Sequence, residues 1–307
     1  MRILKQLALV LGTGYIFVYF SEHLFWARVR PDDSLVSWLG AWIAYSLAAF
    51  IFLHLITFFR VTEKWSLFLA GAVFGWLAEG VIVQTTYEML PLSISFTGLA
   101  WHALITVWIG WYAVRRALIS PASFSTVSLF TAIGFFYSLW AINWWLEPDG
   151  GVATLAEFSI YILTITCLAA LAYALANWGS SESFAPNRWV TRLVYAAFCI
   201  YFAFVTVPAA PISLLILPLL LGLAYYGLRR HPAEERACLA STLHGRISPR
   251  NYLALFALPL TAIAFYALAL ALNLQWHTNW ILYFITTPLG FILFGIGVFK
   301  KSVSTHP

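Results

Sequence analysis

Along this chain apolar residues come in continuous runs of about 20, broken by short polar punctuation, and never in the strict alternation of a half-buried strand. The runs fall near 1–20, 35–58, 66–88, 94–117, 124–146, 153–177, 189–206, 209–228, 252–272 and 278–299. Each is long enough, at 1.5 Å per residue, to cross a hydrocarbon core of about 30 Å. A transmembrane barrel is excluded, because barrel strands alternate over about ten residues. The pattern predicts an all-α, polytopic integral membrane protein with about ten transmembrane helices and one membrane domain over 1–307. The first run begins Met1-Arg2-Ile3-Leu4-Lys5 like a signal peptide, but no small-x-small cleavage site follows, so it is read as the first helix.

Composition agrees: 62% of residues are hydrophobic and 9% charged, far below the quarter of charged residues usual in a soluble domain. Charge placement then orients the chain. All 17 basic residues except Arg28 and Arg30 lie at one set of helix ends, and the acids Glu22, Asp32, Asp33, Glu88, Glu147, Asp149 and Glu157 lie at or near the other. A miscounted helix would invert every later loop and destroy that asymmetry. The positive-inside rule therefore predicts both termini in the cytoplasm, in a cell inner (plasma) membrane. The net charge of +5 reflects these helix-end clusters and gives no reason to expect a nucleic-acid partner.

The longest loop, 229–250, contains Arg229-Arg230-His231-Pro232 and Ala233-Glu234-Glu235-Arg236, a basic segment suited to anionic headgroups. No phosphate-binding glycine loop occurs, which argues against ATP-driven function within this chain. Cys167, Cys199 and Cys238 form neither a metal-ligand spacing nor a disulfide framework and are read as packing residues. A faint echo pairs Lys64-Trp65 with Arg188-Trp189 and Pro31-Asp32 with Pro148-Asp149, suggesting a parallel repeat of helices 1–4 and 5–8 with helices 9 and 10 added. Ten helices equally invite the five-plus-five inverted repeat of many secondary transporters.

The candidate chemistry sits in the third and fourth runs. Glu79 and His102 lie at similar distances on either side of the turn Glu88-Met89-Leu90-Pro91, so they are expected at matched depth, on the order of 12–17 Å from it. Ala72, Gly75 and Thr86 share the stripe of Glu79, and small residues there allow close helix approach. Ser95 and Thr106 share the stripe of His102. An ionisable residue inside the membrane is expensive unless paired, and a Glu–His pair at hydrogen-bond distance is either a proton relay or a structural clamp. Gln84, Glu88, Asn143 and Glu157 are further substrate or proton-coupling candidates, with Glu22, His23 and His277 also toward the acidic end. No His-Glu-x-x-His or similar spacing occurs, so no metal is assigned. His54 does not match the depth of His102 and is read as a packed interfacial histidine.

Pro218, Pro259 and Pro288 are expected to kink the late helices, and most of the 15 tryptophans to sit in interfacial belts. The leading expectation is a secondary transporter of a small solute, with Glu79 and His102 at its site. The alternatives are a membrane-embedded enzyme acting on a lipid or isoprenoid at the outer leaflet, and a structural subunit of a membrane complex. The expected partners are the bilayer, a small-molecule or lipid substrate, and membrane-protein partners or further copies of the chain. The sequence names no cofactor.

Overall fold

The computed structural model describes residues 1–147, 150–231 and 238–300. Among these it contains ten helices long and apolar enough to cross a membrane, and no strand. They are α1 (Arg2–Trp26), α2 (Leu35–Phe58), α3 (Lys64–Ile82), α4 (Leu92–Ile119), α5 (Ser123–Trp145), α6 (Leu155–Gly179), α7 (Arg188–Ala209), α8 (Ser213–Arg230), α9 (Pro249–Ala271) and α10 (Thr278–Phe299). The sequence elements Pro148-Asp149 and Ala233-Glu234-Glu235-Arg236 lie outside the described residues, as does the segment after Lys300. Contacts between helix ends bring basic ends together on one face and acidic ends on the other. Lys5 pairs with Glu182 at 2.9 Å on the face rich in basic residues, whereas the Trp144 indole donates to the Phe25 carbonyl at 2.8 Å on the opposite, acidic face.

The helix boundaries follow local chemistry. Ser34 and Thr154 cap α2 and α6 through reciprocal capping boxes, and Asn187 caps α7 by accepting from the Trp189 N–H at 2.8 Å. Two boundaries differ from the hydropathy pattern. The first helix does not stop at Phe20 but runs through Ser21-Glu22-His23 to Trp26, where Ala27 turns into the left-handed region at φ 57°. The third helix stops at Ile82, six residues early. Gln84, at φ 62°, reverses the chain and folds its amide back onto the Val81 and Ile82 carbonyls at 2.6 and 2.9 Å.

Packing is densest around α3, the most enclosed helix; α7 is the least enclosed. Small residues set the helix contacts. Gly12 of α1 lies against the backbone of Ala172 and Ala176 in α6, Gly134 of α5 against Leu258 in α9, and Gly75 of α3 against Gly98 in α4. At these seams dispersion contact replaces the hydrophobic drive that lipid does not supply between helices. Buried aromatic side chains, among them Trp76, Trp111, Phe52 and Phe74, fill the remaining space. Cys167 and Cys199 are exposed on the outer, lipid-facing surface of the bundle and do not pack the interior; Cys238 is half-buried and donates its thiol to the Ile56 carbonyl at 3.3 Å.

Four stretches are wound as π-helix: Tyr19–His23 in α1, Ala78–Ile82 in α3, Phe96–Ala113 in α4 and Phe202–Thr206 in α7. They converge on one region of the bundle. A widened turn weakens the intrahelical ladder, and side chains from neighbouring segments take up its carbonyls. Trp101 donates to the Phe20 carbonyl at 3.0 Å, Tyr87 to Gly80 at 2.8 Å, Thr206 to Val81 at 2.7 Å and Tyr173 to Gly110 at 2.7 Å.

Candidate functional site

The seam of α3 and α4 brings Glu79 and His102 together. A Cβ added at Gly75 would stand 2.2 Å from the Gly98 carbonyl oxygen and 2.9 Å from the His102 Cβ, so only glycine permits this approach. One turn further on, Glu79 Oε1 meets His102 Nε2 at 2.6 Å. His102 is 1% exposed, and the Glu79 side chain 12%. The second carboxylate oxygen, Oε2, accepts from the hydroxyl of Thr85, which the reversal at Gln84 carries back over the helix end.

The other imidazole nitrogen reaches α1. His102 Nδ1 lies 2.8 Å from Ser21 Oγ, which lies 2.9 Å from Thr106 Oγ1, and Thr106 donates to the Trp101 carbonyl at 3.1 Å. With the Thr106 hydroxyl assigned as the donor to the Trp101 carbonyl, the other proton positions follow. Thr106 spends its only hydroxyl proton on Trp101, so its oxygen accepts from Ser21. Ser21 has then used its proton and accepts from Nδ1–H. With Nδ1 protonated, the 2.6 Å contact on the other side of the ring holds one proton between Nε2 and the carboxylate. That proton belongs either to an imidazolium facing a carboxylate or to a carboxylic acid facing a neutral imidazole.

A second carboxylate stands beside this pair. Glu22 accepts from the Tyr45 hydroxyl at 2.5 Å and from the Trp26 indole at 3.2 Å, and it is close enough to Glu79 and His102 to interact with both electrostatically. The Tyr45 and His102 rings are 6.3 Å apart. On its other side Glu22 lines a cleft of about 40 Å³ together with His23, Arg30 and Asp33. That volume holds a few waters and nothing larger. The Arg30–Asp33 ion pair, at 3.0 Å, stands at this cleft on the acidic face. Burial raises the Asp33 carboxyl, but the Arg30 backbone N–H and guanidinium outweigh it and hold the group below the usual carboxylate range.

The remaining candidates do not join the cluster. Gln84 is used as the cap of α3. Glu88 is exposed in the loop that follows, and Glu157 is exposed as the third residue of α6, where it closes the capping box with Thr154. Asn143 is buried at the end of α5 and donates to Glu147 at 3.4 Å, a carboxylate that also accepts from Asn279 of α10 at 3.3 Å. Ser95 turns to the Thr287 carbonyl of α10 at 2.6 Å. His54 is half-buried and meets the Tyr195 hydroxyl at 3.1 Å. Among the described residues no three His, Cys, Asp or Glu side chains converge as a metal ion requires.

Sequence reasoning missed Ser21, Tyr45 and Thr85, and it placed Glu22 beyond the end of its helix. For Glu22 a signal existed: Leu24-Phe25-Trp26 resumes the apolar run, and Glu22 and Trp26 stand one helical turn apart.

The architecture and the buried cluster define a multi-pass, all-helical membrane protein with a carboxylate–imidazole pair enclosed among its first four helices. No protein-family model matches the chain, and comparison with curated proteins and with solved structures finds no match.

Proposed function

We propose that the protein is a proton-coupled secondary transporter of a small solute in the inner (plasma) membrane, with Glu79 and His102 as its proton-exchange pair and the basic face in the cytoplasm. The observation that carries this reading is the buried 2.6 Å contact between His102 Nε2 and the Glu79 carboxylate, where one proton can be shared between two groups of differing charge. Glu22 is the entry group, because it lines the cleft on the acidic face and also neighbours the pair. Glu22 can exchange a proton with the cleft and acts on the pair through its charge. Transfer of the shared proton onto Glu79 removes the charge attraction that fastens α3 to α4, and a weaker seam is what opening to a solute requires.

Full satisfaction of the same groups also fits a structural clamp, and the experiment separates the two. The protein in lipid nanodiscs is titrated from about pH 4 to 9, across the ordinary range of Glu and His, while the carboxylic C=O stretch is followed by infrared difference spectroscopy. The expected result is a protonation signal that disappears in Glu79→Gln and is reduced in Glu22→Gln. In proteoliposomes carrying an internal pH dye, a panel of small solutes then drives proton entry in the wild type and not in Glu79→Gln. A signal that does not change with pH, or one unaltered in Glu79→Gln, overturns the proposal in favour of the clamp. The lipid-enzyme alternative has less support, since the apolar groove between α7 and α8 is lined by neither Glu79 nor His102.

A further inference from the structure

The least enclosed helix, α7, leans on α2 and α3 and leaves a groove of about 450 Å³ whose opposite wall is α8. The α8 residues lining it run from Leu217 to Leu228, about 16 Å at 1.5 Å per residue, or half of a ~30 Å hydrocarbon core. The groove therefore has the depth of one leaflet, and it begins at the basic face. Its lining is apolar, including Leu77, Phe198 and Cys199.

Above it, where α7 begins, lies a second cleft of about 500 Å³ lined by His54, Thr57, Arg188, Thr191 and Arg192. Both lie along α7. Arg188, Arg192, Tyr195, Cys199 and Phe202 follow one another at spacings of three or four residues and form one stripe, cationic at the top and apolar below. The His54–Tyr195 hydrogen bond, at 3.1 Å, joins a residue of the upper cleft to one of the lower groove. Arg188 and Arg192 stack on Trp189, and among the described residues neither has an acidic partner.

We infer that this stripe is a binding site for an anionic phospholipid of the basic-face leaflet, its phosphate held by Arg188 and Arg192 and one chain laid in the groove between α7 and α8. Two guanidinium groups match a phosphate in charge and in donors, and a one-leaflet apolar groove beneath matches its chain. The chain would lie against Leu77 and Val81, on either side of Glu79 in sequence, so an occupied groove braces the π-helical turn that carries the carboxylate.

The test is native mass spectrometry of the full-length protein released from nanodiscs containing equal phosphatidylglycerol and phosphatidylcholine. One phosphatidylglycerol is expected to be retained with about thirtyfold preference, the factor two basic residues near an anionic lipid supply. Arg188→Gln/Arg192→Gln should reduce the preference to near unity, and Arg188→Lys/Arg192→Lys should keep most of it. Cys199→Trp, which fills the groove and leaves the cations in place, should also lose the bound lipid. Each variant is first shown to unfold at the wild-type temperature in phosphatidylcholine alone, and Arg188→Lys/Arg192→Lys serves as the folded reference. Equal retention of the two lipids, or a preference that survives Arg188→Gln/Arg192→Gln, overturns the inference. Displacement by millimolar inorganic phosphate, or indifference to Cys199→Trp, overturns it too, because the site would then bind a free anion and not a lipid.

Discussion

Replacing Gly75 with alanine tests the seam on which the site depends. The added Cβ would lie 2.2 Å from the Gly98 carbonyl oxygen, and restoring an ordinary 3.4 Å contact means opening α3 from α4 by 1.2 Å, the difference between the two. Backbone faces backbone here, so no side chain can rotate out of the way. If the opening falls on the Glu79–His102 contact, 2.6 Å becomes about 3.8 Å, beyond any hydrogen bond. Overpacking of this kind costs about 1–3 kcal/mol, and losing a hydrogen bond between charged groups about 1.5–3 kcal/mol more. The expected destabilisation is therefore about 2.5–6 kcal/mol, read from reversible unfolding in mixed micelles. Gly222→Ala in α8 is the control, since nothing lies within 4 Å of its added Cβ and alanine favours helix by about 1 kcal/mol. The reasoning is refuted if Gly75→Ala and Gly222→Ala unfold within about 0.5 kcal/mol of each other, the ordinary scatter of substitutions away from such contacts.

Glu79→Ala should destabilise by about 2–4 kcal/mol in the same assay, because it strips His102 Nε2 and Thr85 of their shared partner in a dry site. Glu79→Gln, which keeps a hydrogen-bonding group there, should lose less than half as much; equal losses would mean that hydrogen bonding at this position is not what holds the seam. The depressed Asp33 carboxyl contributes stability that is fully present above its unfolded value near pH 3.9 and is lost as pH falls through the lower folded value. Hydrogen exchange of the 28–33 loop should accordingly rise only below about pH 4, and Asp33→Asn should make it high at neutral pH. Burial pushes the Cys238 thiol up, so a water-soluble maleimide should modify it slowly at pH 7 and faster as pH rises, and from the basic face only. Modification from the acidic face would invert the assignment of faces.

Much of this architecture was legible because hydrocarbon demands so much of a sequence. A run of 20 apolar residues has few alternatives to a spanning helix, and ten such runs with one-sided basic ends leave little freedom in the count. The Glu79–His102 contact was legible for the same reason, since two costly residues at similar distances from one turn tend to share a partner. Helix ends were harder. Ser21-Glu22-His23 reads as a surface turn by polarity alone, yet these residues are enclosed by Trp38, Tyr45, Trp101 and Thr106 from other helices. Val81-Ile82-Val83 reads as helix interior, yet the chain leaves the helix there because Gln84 supplies its own cap. Such endings are decided by contacts distant in sequence, and hydropathy averages over them. Two of the three cysteines failed differently. An apolar run identifies depth in the membrane but not which side of the helix meets lipid, and Cys167 and Cys199 are on that side.

The π-helical turns account for how a polar cluster persists in a bundle this apolar. A regular helix fixes adjacent side chains 100° apart, which would leave Ser21 and Glu22 facing different neighbours with no freedom to adjust. Widening the turn at Tyr19–His23 lets Ser21 reach His102 and Thr106 while Glu22 reaches Tyr45. The widening at Ala78–Ile82 likewise leaves carbonyls that Tyr87 and Thr206 complete while Glu79 faces His102. The cost of a weakened ladder is offset by side-chain hydrogen bonds from other helices, so each π turn is stable only while its neighbours stay in place. Separation of α3 from α4, or of α7 from α3, would remove those donors and favour a return to the tighter α turn, rotating Glu79 away from His102. The cluster and the packing around it are in this way interdependent, so loosening either is expected to loosen the other.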